Sequence, residues 1–265
     1  MNKESLKILA VGNSFSVDSM RHLWGIFHAG GWENVILGNL YIPGCSLDTH
    51  YENIQSQEPA YIYYKNTTGE WEAQENVSIY LPFYEDKWDI ITVQQASGYS
   101  GMAETFTHLK DILEFIKVHQ PQAKILWQMT WAYQQLSDHR HFGNYHYDQM
   151  CMYKGILEAV QRRVLPETDI CGIIPTGTAI QNLRTSYLGD TLTRDGYHLS
   201  YGIGRYAAAL CWYGFITGQS VDEISWVPER HLDVLPQHLP AIRQAVKLAL
   251  EKPFAISKVD VSVAL

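Results

Sequence analysis

The sequence predicts an α/β fold, with a parallel sheet covered by helices on both faces. Three observations carry this. Short apolar runs recur along the chain, and segments with helical spacing stand between them. The runs are also continuously apolar, not alternating, which is the pattern of strands buried on both faces.

The elements follow in order. Residues 7–11 form the first strand. Met20, Leu23, Trp24 and Phe27 then recur at helical spacing within 18–29, and Gly30-Gly31 stops that helix. Residues 34–42 form the second strand, closed by Pro43-Gly44, and Cys45-Ser46-Leu47-Asp48 reads as a helix cap. In about 61–80, Tyr61 and Tyr63 alternate with other residues and Asn66-Thr67-Thr68-Gly69 makes a turn. That segment reads as a β-hairpin inserted between core elements. Residues 88–95, 122–130 and 168–174 supply three more strands. Helices are expected at 106–118, 147–165, 175–183, 204–217 and 235–250. Five parallel strands with intervening helices specify a flavodoxin-like three-layer α/β/α sandwich, expected as one domain over 1–265. In such folds ligands bind beyond the carboxyl ends of the strands. Gly12–Ser14, Pro43–Gly44, Gln94–Ser97, Thr130–Trp131 and Pro175–Thr176 all fall at such ends and are expected to converge on one rim.

Composition narrows the function. The 265 residues carry a formal net charge of −8, which argues against general binding to nucleic acid or an anionic membrane. No apolar run approaches the length of a membrane span. The chain as given reads as cytoplasmic, or as periplasmic or secreted if a leader has been removed. The cysteines at 45, 151, 171 and 211 form no C-x-x-C pair, and Cys171 and Cys211, within apolar runs, read as core residues. His139, His141 and His146, with Asp138 and Asp148, match no standard zinc spacing, so no metal or cofactor is expected. Eight tryptophans and seventeen tyrosines suit either a generous aromatic core or a site that stacks on sugar-like ligands.

Two short motifs carry chemistry. Gly12-Asn13-Ser14-Phe15-Ser16 puts a serine where a strand ends and a helix begins, where its hydroxyl is open and backbone N–H groups favour negative charge. Asp195-Gly196-Tyr197-His198 spaces a carboxylate and an imidazole so that one ring nitrogen meets the acid and the other stays free to take a serine's proton.

Together these motifs resemble the SGNH/GDSL hydrolase superfamily, with its first block at 12–16 and its fifth at 195–198. Gly12-Asn13-Ser14 stands where the family usually has Gly-Asp-Ser. The resemblance implies Ser14 as nucleophile, His198 as general base and Asp195 as its orienting acid. It also implies an oxyanion site made by the N–H groups of Ser14 and Gly44 and one side-chain amide. The family's Gly-x-Asn-Asp block is absent. Gln94-Gln95-Ala96-Ser97 stands there, similar to the Gln-Gly-Glu block of sialate O-acetylesterase-like carbohydrate esterases, so Gln94 is expected as the third donor with Gln95 as the alternative. Trp131 and Tyr133, in the loop after the fourth strand, and Tyr197 are expected to wall the substrate.

The function implied is a serine esterase acting on small acyl esters, with O-acetyl groups on carbohydrates as the leading substrate class. Two alternatives stay open: a non-catalytic carbohydrate-binding protein on the same scaffold, and an acyltransferase with the same triad. Oligomeric state is not legible.

Overall fold

The computed structural model describes residues 5–229, 232 and 234–261; the ends of the expected 1–265 unit, 1–4 and 262–265, lie outside them. β1 (Ser5–Gly12) lies in the middle of a seven-stranded sheet. It pairs in parallel with β2 (Asn34–Tyr41) on one side and with β5 (Ile90–Val93) on the other. β6 (Lys124–Gln128) and β7 (Ile170–Ile174) continue the parallel set. β3 (Tyr61–Asn66) and β4 (Trp71–Val77) are the expected hairpin. They add to the β2 edge antiparallel, so the sheet is mixed, in the order β4-β3-β2-β1-β5-β6-β7.

The central strands are apolar because both faces are covered. Ile8, Leu9, Ala10 and Val11 of β1 and Ile90, Ile91 and Val93 of β5 are all buried. One helical group packs together from α1 (Ser14–Met20), α2 (Leu23–Ala29), α7 (Thr176–Arg184), α8 (Ile203–Thr217) and α9 (Leu239–Glu251). A second comprises α3 (Leu47–Ser56), α4 (Tyr80–Glu85) and α5 (Leu109–His119), joined by contacts such as Phe83 on Phe115. α6 (Gln149–Ala159) follows the long loop after β6 and runs into a π-helical turn, Val160–Val164. The core is strongly aromatic: Trp88, Trp127, Trp131, Trp212 and Phe15 are fully buried.

Three expectations need adjustment. The single helix expected over 18–29 is two. α1 begins at Ser14 because the Asn13 side chain caps it, and the chain breaks at Arg21–His22, where the buried His22 ring hydrogen-bonds to the Tyr201 carbonyl (2.8 Å) instead of sitting on a continuous helix face. β5 is shorter than 88–95, spanning Ile90–Val93, so Gln94 and Gln95 lie just past its end. Cys171 is exposed on the edge strand β7 and is not a core residue, whereas Cys211 on α8 is buried.

The sheet order brings the ends of β1, β2 and β5 side by side. The loops that follow these three strands therefore share one rim with the start of α1.

Candidate active site

Ser14 is the first residue of α1. Asn13, with extended backbone, caps the helix by accepting from the Phe15 N–H (3.0 Å). Its side-chain N–H donates to the Cys45 carbonyl (3.0 Å), and its side-chain oxygen also accepts from Gln94 Nε2 (2.8 Å). The buried amide thus bolts the end of β1 to the loops after β2 and β5. An aspartate at 13 would have no donor for the Cys45 carbonyl, which gives the departure from Gly-Asp-Ser a physical reason.

The residues around 195–198 form a tight loop closed by the Thr193–Leu199 bridge and by the Arg194 N–H on the His198 carbonyl (2.9 Å). Gly196 turns it at φ +87, a left-handed conformation, with the Ser137 side chain against the space a Cβ would need. Asp195 Oδ1 accepts from the N–H groups of Tyr197 (3.3 Å) and His198 (2.8 Å), and Oδ2 meets His198 Nδ1 at 2.6 Å. His198 Nε2 lies 2.8 Å from Ser14 Oγ. Partial burial works against the Asp195 charge. The hydrogen bonds from the His198 ring and from the two amides nevertheless hold its pKa below the ordinary carboxylate range.

A second carboxylate fastens this loop to the helix that bears Ser14. Asp18, one turn beyond Ser14, is fully buried. It accepts from the Leu199 N–H (2.8 Å), from Arg194 Nη1 (3.0 Å) and from Arg205 Nε (2.8 Å) of α8. Both guanidinium groups lie over the Tyr201 ring, at 4.8 and 4.7 Å. This strut fixes the separation of Ser14 and His198. Sequence reasoning missed Asp18, although its position four residues after Ser14 was the available signal.

Ser14 and His198 open onto a cavity of about 430 Å³ whose wall also includes Gly44, Tyr41, Tyr64 and Tyr197. Gly44 has φ +64 and no atom within 4 Å of where a Cβ would stand. Among the described residues, the N–H groups of Ser14 and Gly44 make no backbone hydrogen bond.

The two glutamines expected to supply the third donor are both buried. Gln95 uses its amide nitrogen on Thr105 (2.8 Å to the carbonyl) and its oxygen on the N–H groups of Leu47 and Ala96. Gln94 gives an N–H to Asn13 and is buried. Neither glutamine belongs to the cavity wall; Ala96, Ser97 and Gly98 form that part of it.

Trp131 and Tyr133 are also not wall residues. Trp131 is buried, stacks on Phe15 (4.1 Å) and donates to the Tyr197 carbonyl (2.7 Å). Tyr133 is buried with its hydroxyl on Ser97 (2.8 Å). Both support the wall from behind. The loop that carries them does reach the cavity, but through His139, Arg140 and His141. Burial, together with the neighbouring positive groups His141 and Arg140, lowers the pKa of His139. Tyr197 does line the cavity, tilted 4.1 Å from the His198 ring.

With this geometry established, the comparisons with known proteins are specific at one level. The model of a family described as a domain of unknown function, DUF4886, matches residues 7–235. The chain belongs to the DUF4886 family. The crystal structure of a DUF4886 family protein from Bacteroides uniformis ATCC 8492 is 38% identical, with a TM-score of 0.91 over 97% of this chain and 98% of that one. Two more distant structures share the fold. A proposed SGNH hydrolase from Slackia heliotrinireducens is 16% identical, with a TM-score of 0.55 over 79% of this chain and 97% of that one. A proposed GDSL-like lipase from Parabacteroides merdae ATCC 43184 is 11% identical, with a TM-score of 0.50 over 79% and 94%. No curated protein matches the chain. The DUF4886 chain thus has an α/β fold with a largely parallel central sheet, like these SGNH-type neighbours.

Proposed function

We propose that this DUF4886 protein is a serine esterase of SGNH type. The observation that carries the reading is the hydrogen-bonded series from Asp195 through His198 to Ser14 Oγ, with steps of 2.6 and 2.8 Å, opening on a cavity. Ser14 Oγ attacks the ester carbonyl carbon as His198 Nε2 takes its proton. Asp195 stays ionised, holds the ring and stabilises the imidazolium. The oxygen of the tetrahedral intermediate is met by the N–H groups of Ser14 and Gly44, aided by the α1 dipole. Collapse breaks the bond to the alcohol, which leaves with the proton from His198, and an acyl-Ser14 remains. Water then attacks the acyl carbon as His198 takes its proton, and collapse breaks the bond to Ser14 Oγ, which recovers the proton from His198 as the acid leaves.

The acyl group proposed is small and the alcohol a carbohydrate, making O-acetylated sugars the leading substrate class. Support comes from the tyrosines in the cavity wall, Tyr41, Tyr64, Tyr99 and Tyr197, whose rings pack on sugar faces while their hydroxyls hydrogen-bond. Hydrolysis of p-nitrophenyl acetate, together with labelling by a fluorophosphonate probe, tests the reading. Wild type is expected to turn over and to be labelled at Ser14, and Ser14→Ala and His198→Ala to do neither. Near wild-type turnover by Ser14→Ala would refute it, and sugar binding without Ser14 labelling would favour a binding protein.

A further inference from the structure

Beside the Ser14 cavity lies a larger one, of about 650 Å³. Val17 and Tyr64 stand in the walls of both. α1 explains the adjacency: Ser14, Val17 and Arg21 follow one face of the chain, about 4.5 and 10.5 Å beyond Ser14 at helical rise. The floor between the cavities is the strut already described, since Arg194 lines the first, Tyr201 and Arg205 line the second, and Asp18 joins the two arginines.

The far wall comes from the hairpin. Gly69, Glu70 and Trp71, at its turn and the start of β4, face this cavity. The Trp71 indole N–H donates to the Arg21 carbonyl (3.4 Å), docking the hairpin on the end of α1. Trp226, from the segment before α9, closes the opposite side beside the His22 ring (5.7 Å). The lining therefore combines flat amphipathic rings (Trp71, Trp226, Tyr64, Tyr201) with a guanidinium, a carboxylate and an amide (Arg21, Glu70, Asn39).

A long acyl chain is a poor fit, because it would desolvate the Arg21 and Glu70 charges with nothing in return. A molecule with alternating polar edges and apolar faces satisfies both kinds of group. We infer that the second cavity is a subsite for the alcohol part of the ester, and that the substrate is an acyl group on an oligosaccharide of two or more rings, read by the hairpin. The inference rests on the esterase reading of Ser14 and adds where the leaving group lies and how large it is.

The test compares acetyl esters of xylose, mannose and N-acetylglucosamine with acetyl esters of the corresponding trimers, alongside p-nitrophenyl acetate and p-nitrophenyl laurate. At least one trimer ester is expected to exceed its monomer ester in kcat/KM by about tenfold, the scale of one or two ring-stacking contacts. Trp71→Ala is expected to bring that ratio close to one. Arg21→Ala, at an exposed position, is expected to lower it as well and serves if the tryptophan variant does not fold. Calorimetry of the unmodified trimers on Ser14→Ala reads the cavity without turnover, and binding is expected to be lost in Trp71→Ala. An absent trimer advantage in an enzyme active on p-nitrophenyl acetate overturns the inference. So does a trimer advantage that survives both substitutions, or laurate outpacing acetate. Absence of all hydrolysis and of Ser14 labelling overturns the esterase reading instead, and trimer binding to Ser14→Ala then still decides whether the cavity takes a glycan.

Discussion

Replacing Asp18 by asparagine tests whether one buried charge sets the Ser14–His198 separation. The substitution conserves volume and removes one charge. Asp18 Oδ2 accepts from the Leu199 N–H while Oδ1 accepts from Arg194 and Arg205, so every acceptor position of the carboxylate faces a donor. Whichever way the new amide turns, its NH2 group opposes an N–H, and two guanidinium groups lose their counter-charge. Removing one partner of a buried ion pair costs about 3–5 kcal/mol. The Arg194 and Arg205 side chains are 23% and 12% exposed and keep some water, so the lower end, about 3 kcal/mol, is expected. With a urea slope of about 3 kcal/mol per M, the unfolding midpoint falls by about 1 M. Asp222→Asn is the control. Its partner Lys247 is 2.6 Å away, but both side chains are more than two-fifths exposed, and such a pair is worth about 0–1 kcal/mol. Fluorophosphonate labelling of Ser14 should also slow in Asp18→Asn, because the Leu199 anchor of the histidine loop is lost. A midpoint loss no larger than that of Asp222→Asn would refute the reasoning.

Other outcomes are expected from the same structure. Gly44→Ala has room for its methyl group but holds a left-handed conformation, so it should cost about 1–2 kcal/mol in urea unfolding and slow p-nitrophenyl acetate turnover by disturbing the proposed oxyanion donor. Unchanged kcat would remove Gly44 from the oxyanion site. Asn13→Asp replaces the side-chain N–H that donates to the Cys45 carbonyl with a second acceptor, costing about 1–3 kcal/mol and lowering Tm by several degrees in calorimetry. Stability should fall with acid. Burial lowers the pKa of His50 to about 3 and that of His22 to about 4, the latter despite its bond to the Tyr201 carbonyl. Below the ordinary histidine value the unfolded chain binds protons that the folded one refuses, so each group costs about 1.4 kcal/mol per pH unit down to its folded value. Asp195 acts in the same direction at lower pH, since its lowered pKa contributes stability that is lost as the carboxylate protonates. Urea midpoints equal at pH 7 and pH 5 would contradict the burial of both histidines as neutral rings.

Much of this protein was legible from local patterns. The order of strands and helices followed from apolar runs and helical spacing, because burial on one or two faces leaves a periodic trace in contiguous residues. Ser14 and the Asp195–His198 pair stood out because their two short blocks together resemble a known family, and each block is contiguous in the chain. The hairpin, too, announced itself by alternation and a turn.

What the tertiary structure alone decided is which side chains face the cavities. Gln94 and Gln95 looked like donors by their place in the chain, yet Thr105 takes the Gln95 amide nitrogen and Asn13 takes one N–H of Gln94. Trp131 and Tyr133 looked like wall residues, but α1 and the loop after β5 cover them. Tyr41, Tyr64 and Arg140, from β2, the hairpin and the distal loop, take their place. Asp18 became the tie between the Ser14 helix and the His198 loop only because residues 176 and 187 positions away fold onto it. By itself the sequence determined the elements and the two short motifs that bear Ser14, Asp195 and His198, since both depend on neighbours in the chain. The walls, the strut and the second cavity were decided by sheet order, which sets the contacts between segments remote in sequence and leaves no periodic trace in any one of them.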